Sequence, residues 1–325
     1  MPRATILPTA DEVRAAATRL DGLVRPTPLL PSPALSALLG VEVLLKLECL
    51  QEGGSFKLRG ALHALLALDD AVRARGVVAS SAGNHGIGIA MAAARLAVPA
   101  TVFVPASAPA VKREKIAACG ATVVATEPTY DDAERAARAH AAATGATFVS
   151  PCTGRALLAG AGTVALEGMA ARPDLTTWLV CVGGGGLAGG VGGYLRDAAP
   201  HVRIVGAQSE RTNAMALALA SGRATDIPDL PTLADGLAGL VDDEMLAQGR
   251  AALDTIVTVE EAAIAEAIRW LHTAHGLRVE GSGAVGVAAI RSGRWRPAPG
   301  TDTGPVAVTV SGANIDAARW ATLVG

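Results

Sequence analysis

Gly76-Val77-Val78-Ala79-Ser80-Ser81-Ala82-Gly83-Asn84-His85-Gly86 runs from a short apolar strand into a turn of serine, glycine and asparagine, and a helix follows over 87–95. A buried strand, a glycine-rich turn and a helix form half of a parallel crossover unit. Outward from this stretch the same cycle repeats. Thr101-Val102-Phe103-Val104 is a strand stopped by Pro105, followed by a helix over 111–119. Ala121-Thr122-Val123-Val124 is the next strand, and Asp131 and Asp132 open an alanine-rich helix over 131–143, where their charge suits its N-terminus. Thr147-Phe148-Val149 closes this block. Val43-Leu44-Leu45-Lys46-Leu47 precedes it as a strand, and the alternation resumes after it. Helices are predicted over 162–171, 210–220, 244–253 and 260–273. Strands are predicted at Trp178-Leu179-Val180-Cys181-Val182, Val202-Arg203-Ile204-Val205 and Val306-Ala307-Val308-Thr309-Val310. The chain is therefore of the α/β class, with parallel sheets covered by helices on both faces and two blocks of alternation.

Composition narrows the function classes. Half of the 325 residues are hydrophobic but only 3% are aromatic, against 37 glycines, which favours tight turns and close backbone approach over aromatic stacking platforms. With 28 basic and 30 acidic residues the formal charge is -2, so no strong field steers the chain to nucleic acid or membrane. Cys49, Cys119, Cys152 and Cys181 are widely spaced, include no CxxC, and read as buried thiols in a reducing compartment. Asp11 and Glu12 precede any apolar stretch, so no signal peptide is read, and the glycine-rich window over 178–195 is unlike a lipid-facing helix. A soluble cytoplasmic protein is expected.

Four polar features sit at strand ends, where a doubly wound sheet places its ligands. Gln51-Glu52-Gly53-Gly54-Ser55-Phe56-Lys57-Leu58-Arg59-Gly60 holds a lysine at a helix start. Lys57 reads either as a helix-surface cation or as an amine whose neutral form attacks an aldehyde. Ser80-Ser81-Ala82-Gly83-Asn84-His85 reads as a capped turn or as a carboxylate receptor. His85 has no cysteine or acid near it in sequence to complete a metal set, and no metal site is expected. Gly183, Gly184, Gly185 and Gly186 follow an apolar strand and can present backbone N–H groups to a phosphate. The run contains GxGxxG at Gly184, Gly186 and Gly189, but no acid ends the next strand, where Gln208 stands, so a dinucleotide match is imperfect. Ser311-Gly312-Ala313-Asn314 is a capped turn or a hydroxyl for a ring nitrogen. Together these ask for an aldehyde, a phosphate, a carboxylate and a heteroaromatic ring, and pyridoxal 5'-phosphate (PLP) holding an amino acid supplies all four.

The chain resembles the fold-type II PLP enzymes, tryptophan synthase beta-like in fold, and within them the serine/threonine dehydratases that include the serine racemases. The matching segments are Arg25-Pro26-Thr27-Pro28-Leu29, Lys46-Leu47-Glu48, Gly54-Ser55-Phe56-Lys57-Leu58-Arg59-Gly60-Ala61 and Ser81-Ala82-Gly83-Asn84-His85-Gly86, then Ala159-Gly160-Ala161-Gly162-Thr163 and the four-glycine run. Ala234-Asp235-Gly236, Val279-Glu280-Gly281-Ser282-Gly283-Ala284 and Ser311-Gly312-Ala313-Asn314 complete the series in family order over almost the full length. The resemblance implies two open, twisted, parallel-type sheets with helices on both faces. It implies a large cofactor-binding domain from residues 1–49 and 148–325, a small mobile domain over 50–147, and a homodimer. It makes Lys57 the Schiff-base lysine and catalytic base, and Phe56 its neighbour beside the ring. Asn84 would bond the ring hydroxyl oxygen, Gly183 to Gly186 the phosphate, and Ser311 the ring nitrogen, while Ser81, Asn84 and His85 would receive the substrate carboxylate.

The implied activity is an ammonia-lyase that turns a β-hydroxy amino acid such as L-threonine or L-serine into a 2-oxo acid and ammonia. Departures from the family pattern refine this. Serine racemases carry a serine where this chain has Ala82, which favours elimination over racemisation. Gly53 replaces a usual threonine, and Ala161 a usual glutamine. Gln208 and Ala214 stand where metal-binding members have acids. Ser150-Pro151-Cys152-Thr153-Gly154-Arg155 differs from the usual His-Pro-Phe-Asp-Asp, so a modified hydroxy amino acid, as in hydroxyectoine breakdown, is an alternative substrate. A β-replacement enzyme of the cysteine synthase type, a NAD-dependent dehydrogenase and a non-catalytic PLP- or amino-acid-binding protein are the remaining readings.

Overall fold

The computed structural model describes residues 6–108, 110–228, 230–298 and 304–325. The first half of the chain forms α1 (Ala10–Leu20), β1 (Leu29–Pro31), α2 (Pro33–Leu39), β2 (Val43–Lys46), α3 (Lys57–Leu66), α4 (Asp70–Arg73), β3 (Val77–Ser80), α5 (Asn84–Arg95), β4 (Ala100–Pro105), α6 (Ala110–Ala118), β5 (Thr122–Glu127), α7 (Tyr130–Thr144) and β6 (Thr147–Phe148). The second half forms α8 (Arg155–Ala171), β7 (Thr177–Cys181), α9 (Gly186–Ala198), β8 (Arg203–Ser209), α10 (Ala214–Ser221), α11 (Asp243–Ala252), β9 (Thr255–Val259), α12 (Glu261–His275), α13 (Gly281–Arg291), β10 (Val306–Thr309) and α14 (Ala317–Val324).

Two sheets result. One has six strands in the order β1-β2-β10-β7-β8-β9, parallel except for the edge strand β1. The other has four parallel strands in the order β5-β4-β3-β6. Every residue of β2, β3, β7 and β10 is buried, as expected of strands with helices on both faces. Trp178 fills the middle of the larger sheet's core and its indole N–H donates to Thr309 Oγ1 at 2.8 Å. Burying side chains of this kind contributes roughly 1.5–3 kcal/mol each for the aliphatic and phenyl cases.

Helix α3 positions the site. It packs between α5 and α8, and small residues let the backbones meet. A Cβ added at Gly88 of α5 would lie 3.2 Å from the carbonyl carbon of Lys57, and one at Gly60 would lie 2.9 Å from Leu157 O on α8. The first turn of α3 is thereby seated on both neighbours.

Several elements differ from the sequence expectation: α1, β1, α2, α4, β9 and α14 have no counterpart in it, and three more are instructive. Helix α10 starts at Ala214, not at 210. Gln208 donates its amide to Thr212 O and accepts from Ala216 N, both at 2.9 Å, which holds the intervening residues as a turn. Helix α8 starts at Arg155 rather than 162, because its alanines and glycines hide the helical period. Helix α13 has no counterpart in the sequence expectation. Every one of its residues except Arg291 is buried, so it has no polar face to mark it. Among the described residues no helix is long and apolar enough to cross a membrane.

Candidate active site

Residues that follow strand ends of both sheets contact one another, and these contacts bring the four polar features together. The lysine segment and the 311–314 loop are joined by backbone. Phe56 N donates to Ser311 O at 3.2 Å, Ala313 N to Gly54 O at 2.8 Å, and Ser55 bridges Gly312. Asn314 adds side-chain bonds, its Nδ2 reaching Gly53 O and Asn84 Oδ1, each at 2.7 Å. Gly53 and Gly54 both have positive φ, 74° and 76°, which an L side chain rarely adopts.

Lys57 is half-buried at the first turn of α3, with Nζ donating to Pro151 O at 2.6 Å and lying 5.2 Å from the centre of the Phe56 ring. Pro151 precedes Cys152, which packs on the glycine run. A Cβ at Gly184 would sit 2.6 Å from Cys152 Sγ, and one at Gly186 would sit 3.1 Å from Cys152 Cα. The run leads into α9, whose first-turn N–H groups have no partner within the helix.

Ser311 is buried at 3% exposure, and Cys181, at the end of β7, donates its S–H to Ser311 Oγ at 3.2 Å. Burial pushes the Cys181 thiol up to about 11, so it stays a neutral donor. The Ser311 hydroxyl thus keeps its own proton for another acceptor.

The 81–86 turn opens α5. Its tightness depends on Gly86, where a Cβ would collide with Ser81 O. Asn84 is half-buried, and its Nδ2 donates to Glu280 Oε1 at 2.6 Å. His85 is turned inward. Its Nε2–H donates to Val149 O at 2.9 Å, while burial and then the Lys57 charge push its pKa down to about 3. The ring is neutral, and Nδ1 has no partner among the described residues. What His85 offers the cleft is its first-turn backbone N–H, beside those of Asn84 and Gly86.

Glu280 has no assigned role in the sequence reading, although its motif stands out there. It lies at the N-cap of α13, and burial, reinforced by the nearby Asp235 carboxylate, pushes its pKa up to about 7. Its signal in the sequence is an acid in an otherwise small and apolar run. The cysteines divide: Cys49 and Cys181 are buried as expected, while Cys119 and Cys152 are half-exposed, and all four are free thiols. Among the described residues no group of three or more His, Cys, Asp or Glu is placed to hold a metal ion.

The donor set fits PLP. The glycine run has no room for side chains, the buried Ser311 hydroxyl has a proton to give a neutral ring nitrogen, and one amine shares the cleft with both. Comparison with known proteins agrees. The sequence pattern of the family described as pyridoxal-phosphate dependent enzyme matches residues 20–312. The L-threonine ammonia-lyase of Thermotoga maritima is 39% identical over 312 residues, covering 95% of this chain and 76% of that protein. The structure of maize serine racemase superposes with a TM-score of 0.92 at 31% identity, covering 98% of this chain and 97% of that one. A threonine deaminase from T.th. superposes with a TM-score of 0.87 at 35% identity, covering 95% of this chain and 99% of that one.

Proposed function

The chain belongs to the pyridoxal-phosphate-dependent enzymes, and from that premise we propose the substrate class and the part each residue plays. It is a PLP-dependent carbon–nitrogen lyase of the dehydratase type. The reaction removes water from a β-hydroxy amino acid, and addition of water back to the resulting imine releases ammonia and leaves a 2-oxo acid. L-Threonine would give 2-oxobutanoate and ammonium. The observation that carries the site assignment is the convergence of one amine, one buried hydroxyl and the glycine run on a single cleft.

Bound there, the cofactor supplies an electrophilic carbon for amines and a sink for the electrons left when the Cα–H bond breaks. Lys57 would hold it through Nζ and, once released, accept the α-proton at that nitrogen. Pro151 O, a neutral acceptor at 2.6 Å, orients the amine. Gly183 to Gly186 would hold the phosphate, Ser311 the ring nitrogen, Asn84 the ring hydroxyl, and Phe56 would pack beside the ring. Ser81 and the first-turn N–H groups of Asn84 and His85 would bind the substrate carboxylate. Across the cleft Ala82 has no group to return a proton to the opposite face, which supports elimination without racemisation. The buried Gln208 amide is spent on Thr212 O and Ala216 N, so turnover should persist after chelation.

Residues 50–147 would move as a unit against the rest and exclude water from the cleft. A homodimer in the cytoplasm fits the family likeness and the four free thiols, and light scattering on the purified protein checks the dimer. The replaced 150–155 segment lies beside Lys57, so the substrate side chain is best fixed by assay. A panel of β-hydroxy amino acids, scored for oxo acid and ammonia together and for D-amino acid, decides between threonine, serine, modified substrates and racemisation. Lys57→Ala should lower turnover by at least about 10³-fold with the fold unchanged. Turnover near the parent value would remove Lys57 from the mechanism.

A further inference from the structure

Beneath the glycine run lies a side chain to which no sequence motif draws attention. Gln248 projects from α11 and is 1% exposed. Its Nε2 donates to Gly185 O at 2.7 Å and to Cys152 O at 3.1 Å. Both partners are carbonyl oxygens, so the amide orientation follows from the chemistry, since a flipped amide would set oxygen against oxygen. The side chain reaches this position past Gly189, where a Cβ would lie 2.7 Å from Gln248 Cδ.

The two bonds act on two parts of the site. Gly185 caps α9 in the left-handed region, with φ 90° and ψ 5°, and its carbonyl also accepts Gly189 N at 2.7 Å. A trans peptide points its N–H opposite to its C=O. Holding the Gly185 carbonyl from the α9 and α11 side therefore aims the Gly186 N–H the other way. The second bond fixes Cys152 O, one residue after the carbonyl that holds Lys57 Nζ. One carboxamide thus sets both the direction of a glycine-run amide and the spacing between that run and the Lys57 acceptor.

We propose that Gln248 is a positioning residue for the phosphate end of the cofactor site, aiming the Gly186 N–H and tying the glycine run to the Pro151-Cys152 segment. This rests on the reading that Gly183 to Gly186 receive the cofactor phosphate. The test compares binding of PLP and of pyridoxal, which lacks the phosphate, to apoenzyme by absorbance titration, for the parent chain and for Gln248→Met, Gln248→Glu and Gly189→Ala.

The parent should prefer PLP strongly. Absence of that preference would remove the phosphate reading itself, whatever the variants do. Given the preference, Gln248→Met should weaken PLP binding by about tenfold, the scale of one hydrogen bond, and leave pyridoxal binding within about twofold. Gly189→Ala, which displaces the carboxamide without removing it, should do the same. Gln248→Glu should bind PLP poorly at pH 8 and recover as the pH falls, since only the protonated carboxyl can donate to a carbonyl. A merely structural role would lower thermal stability while leaving the PLP-to-pyridoxal ratio at the parent value in all variants, and that result overturns the proposal. Should Gln248→Met fail to fold, the pH dependence of Gln248→Glu decides it within one protein.

Discussion

Two cations stand two residues apart at the start of α3, and they are held in opposite ways. Arg59 is fully buried. Its guanidinium donates to Glu48 at 2.8 and 3.0 Å, to Glu167 at 2.6 and 2.9 Å and to Thr163 at 3.2 Å. Lys46, also buried, closes the cluster by donating to Glu167 at 2.5 Å. Lys57 is half-buried, makes one hydrogen bond, to a neutral carbonyl, and forms no ion pair among the described residues. A carboxylate beside an amine favours its protonated form, so charge pairing suits a cation that only anchors and hinders one that must give up a proton. The helix keeps its paired charges behind the site and presents its chemistry from a neutral setting.

The largest effect should come from breaking the anchor. Arg59→Met would leave the buried Glu48 with only the Thr27 hydroxyl and the Lys46 ammonium 3.7 Å away, and urea unfolding should show a loss of about 3–5 kcal/mol. Adding Glu48→Leu to that variant should restore part of the loss, because the under-compensated buried charge is then gone. A loss under about 1 kcal/mol for Arg59→Met would mean the cluster does not anchor α3. On the other side of the comparison, Ser311→Ala removes a hydroxyl from the cleft and only a thiol partner from the core. Turnover should fall by about tenfold, the worth of one hydrogen bond to a reacting system, while the unfolding midpoint barely moves. A large stability loss with unchanged turnover would reverse the contrast drawn between site and anchor.

Glu280 tests whether an acid is tolerated inside the neutral setting. Its pKa rises from the ordinary 4.5 to about 7 in the folded chain. Between those values the folded state keeps a proton that the unfolded state has lost. Its contribution to stability is therefore highest below about 4.5, declines as pH rises, and levels off above 7. The whole change is on the order of 3 kcal/mol. Glu280→Gln should flatten the stability profile across that window, measured by urea unfolding at about pH 5 and about pH 7.5. Parallel profiles for the two chains would show that the carboxyl is solvated and ionised throughout.

How much of this is legible in the sequence depends on the kind of signal. Strands such as Val77–Ser80 and Thr177–Cys181 stand out as short apolar runs between turns. Lys57, Asn84, the glycine run and Ser311 are legible because polar or glycine residues at strand ends have few structural reasons to be there. Helix α13 is not, because burial on all sides erases the period by which helices are recognised. Gln248 is not either, since a glutamine on an amphipathic helix looks solvent-facing until Gly189 is seen to make room for it. The inward turn of His85 is equally hidden, because it depends on Val149 O, far away in the chain.

The smallest effect concerns the cleft's two walls. Lys112 on α6 pairs with Asp235 at 3.2 Å, and Lys115 reaches Asn314 Oδ1 at 3.3 Å. Both contacts cross from the four-stranded sheet's helices to loops of the six-stranded sheet. The pair is partly exposed, 33% and 49%, so its worth to overall stability should be within about 0–1 kcal/mol. If residues 50–147 close over substrate as a unit, the same small energy acts on the closing equilibrium instead. Lys112→Ala should then raise KM about twofold with unfolding unchanged. High salt should raise the parent's KM by a similar factor and leave the variant's alone, since screening removes what the substitution has already taken away. Equal salt responses in the two chains would mean that this pair decorates the rim of the cleft and has no part in closing it.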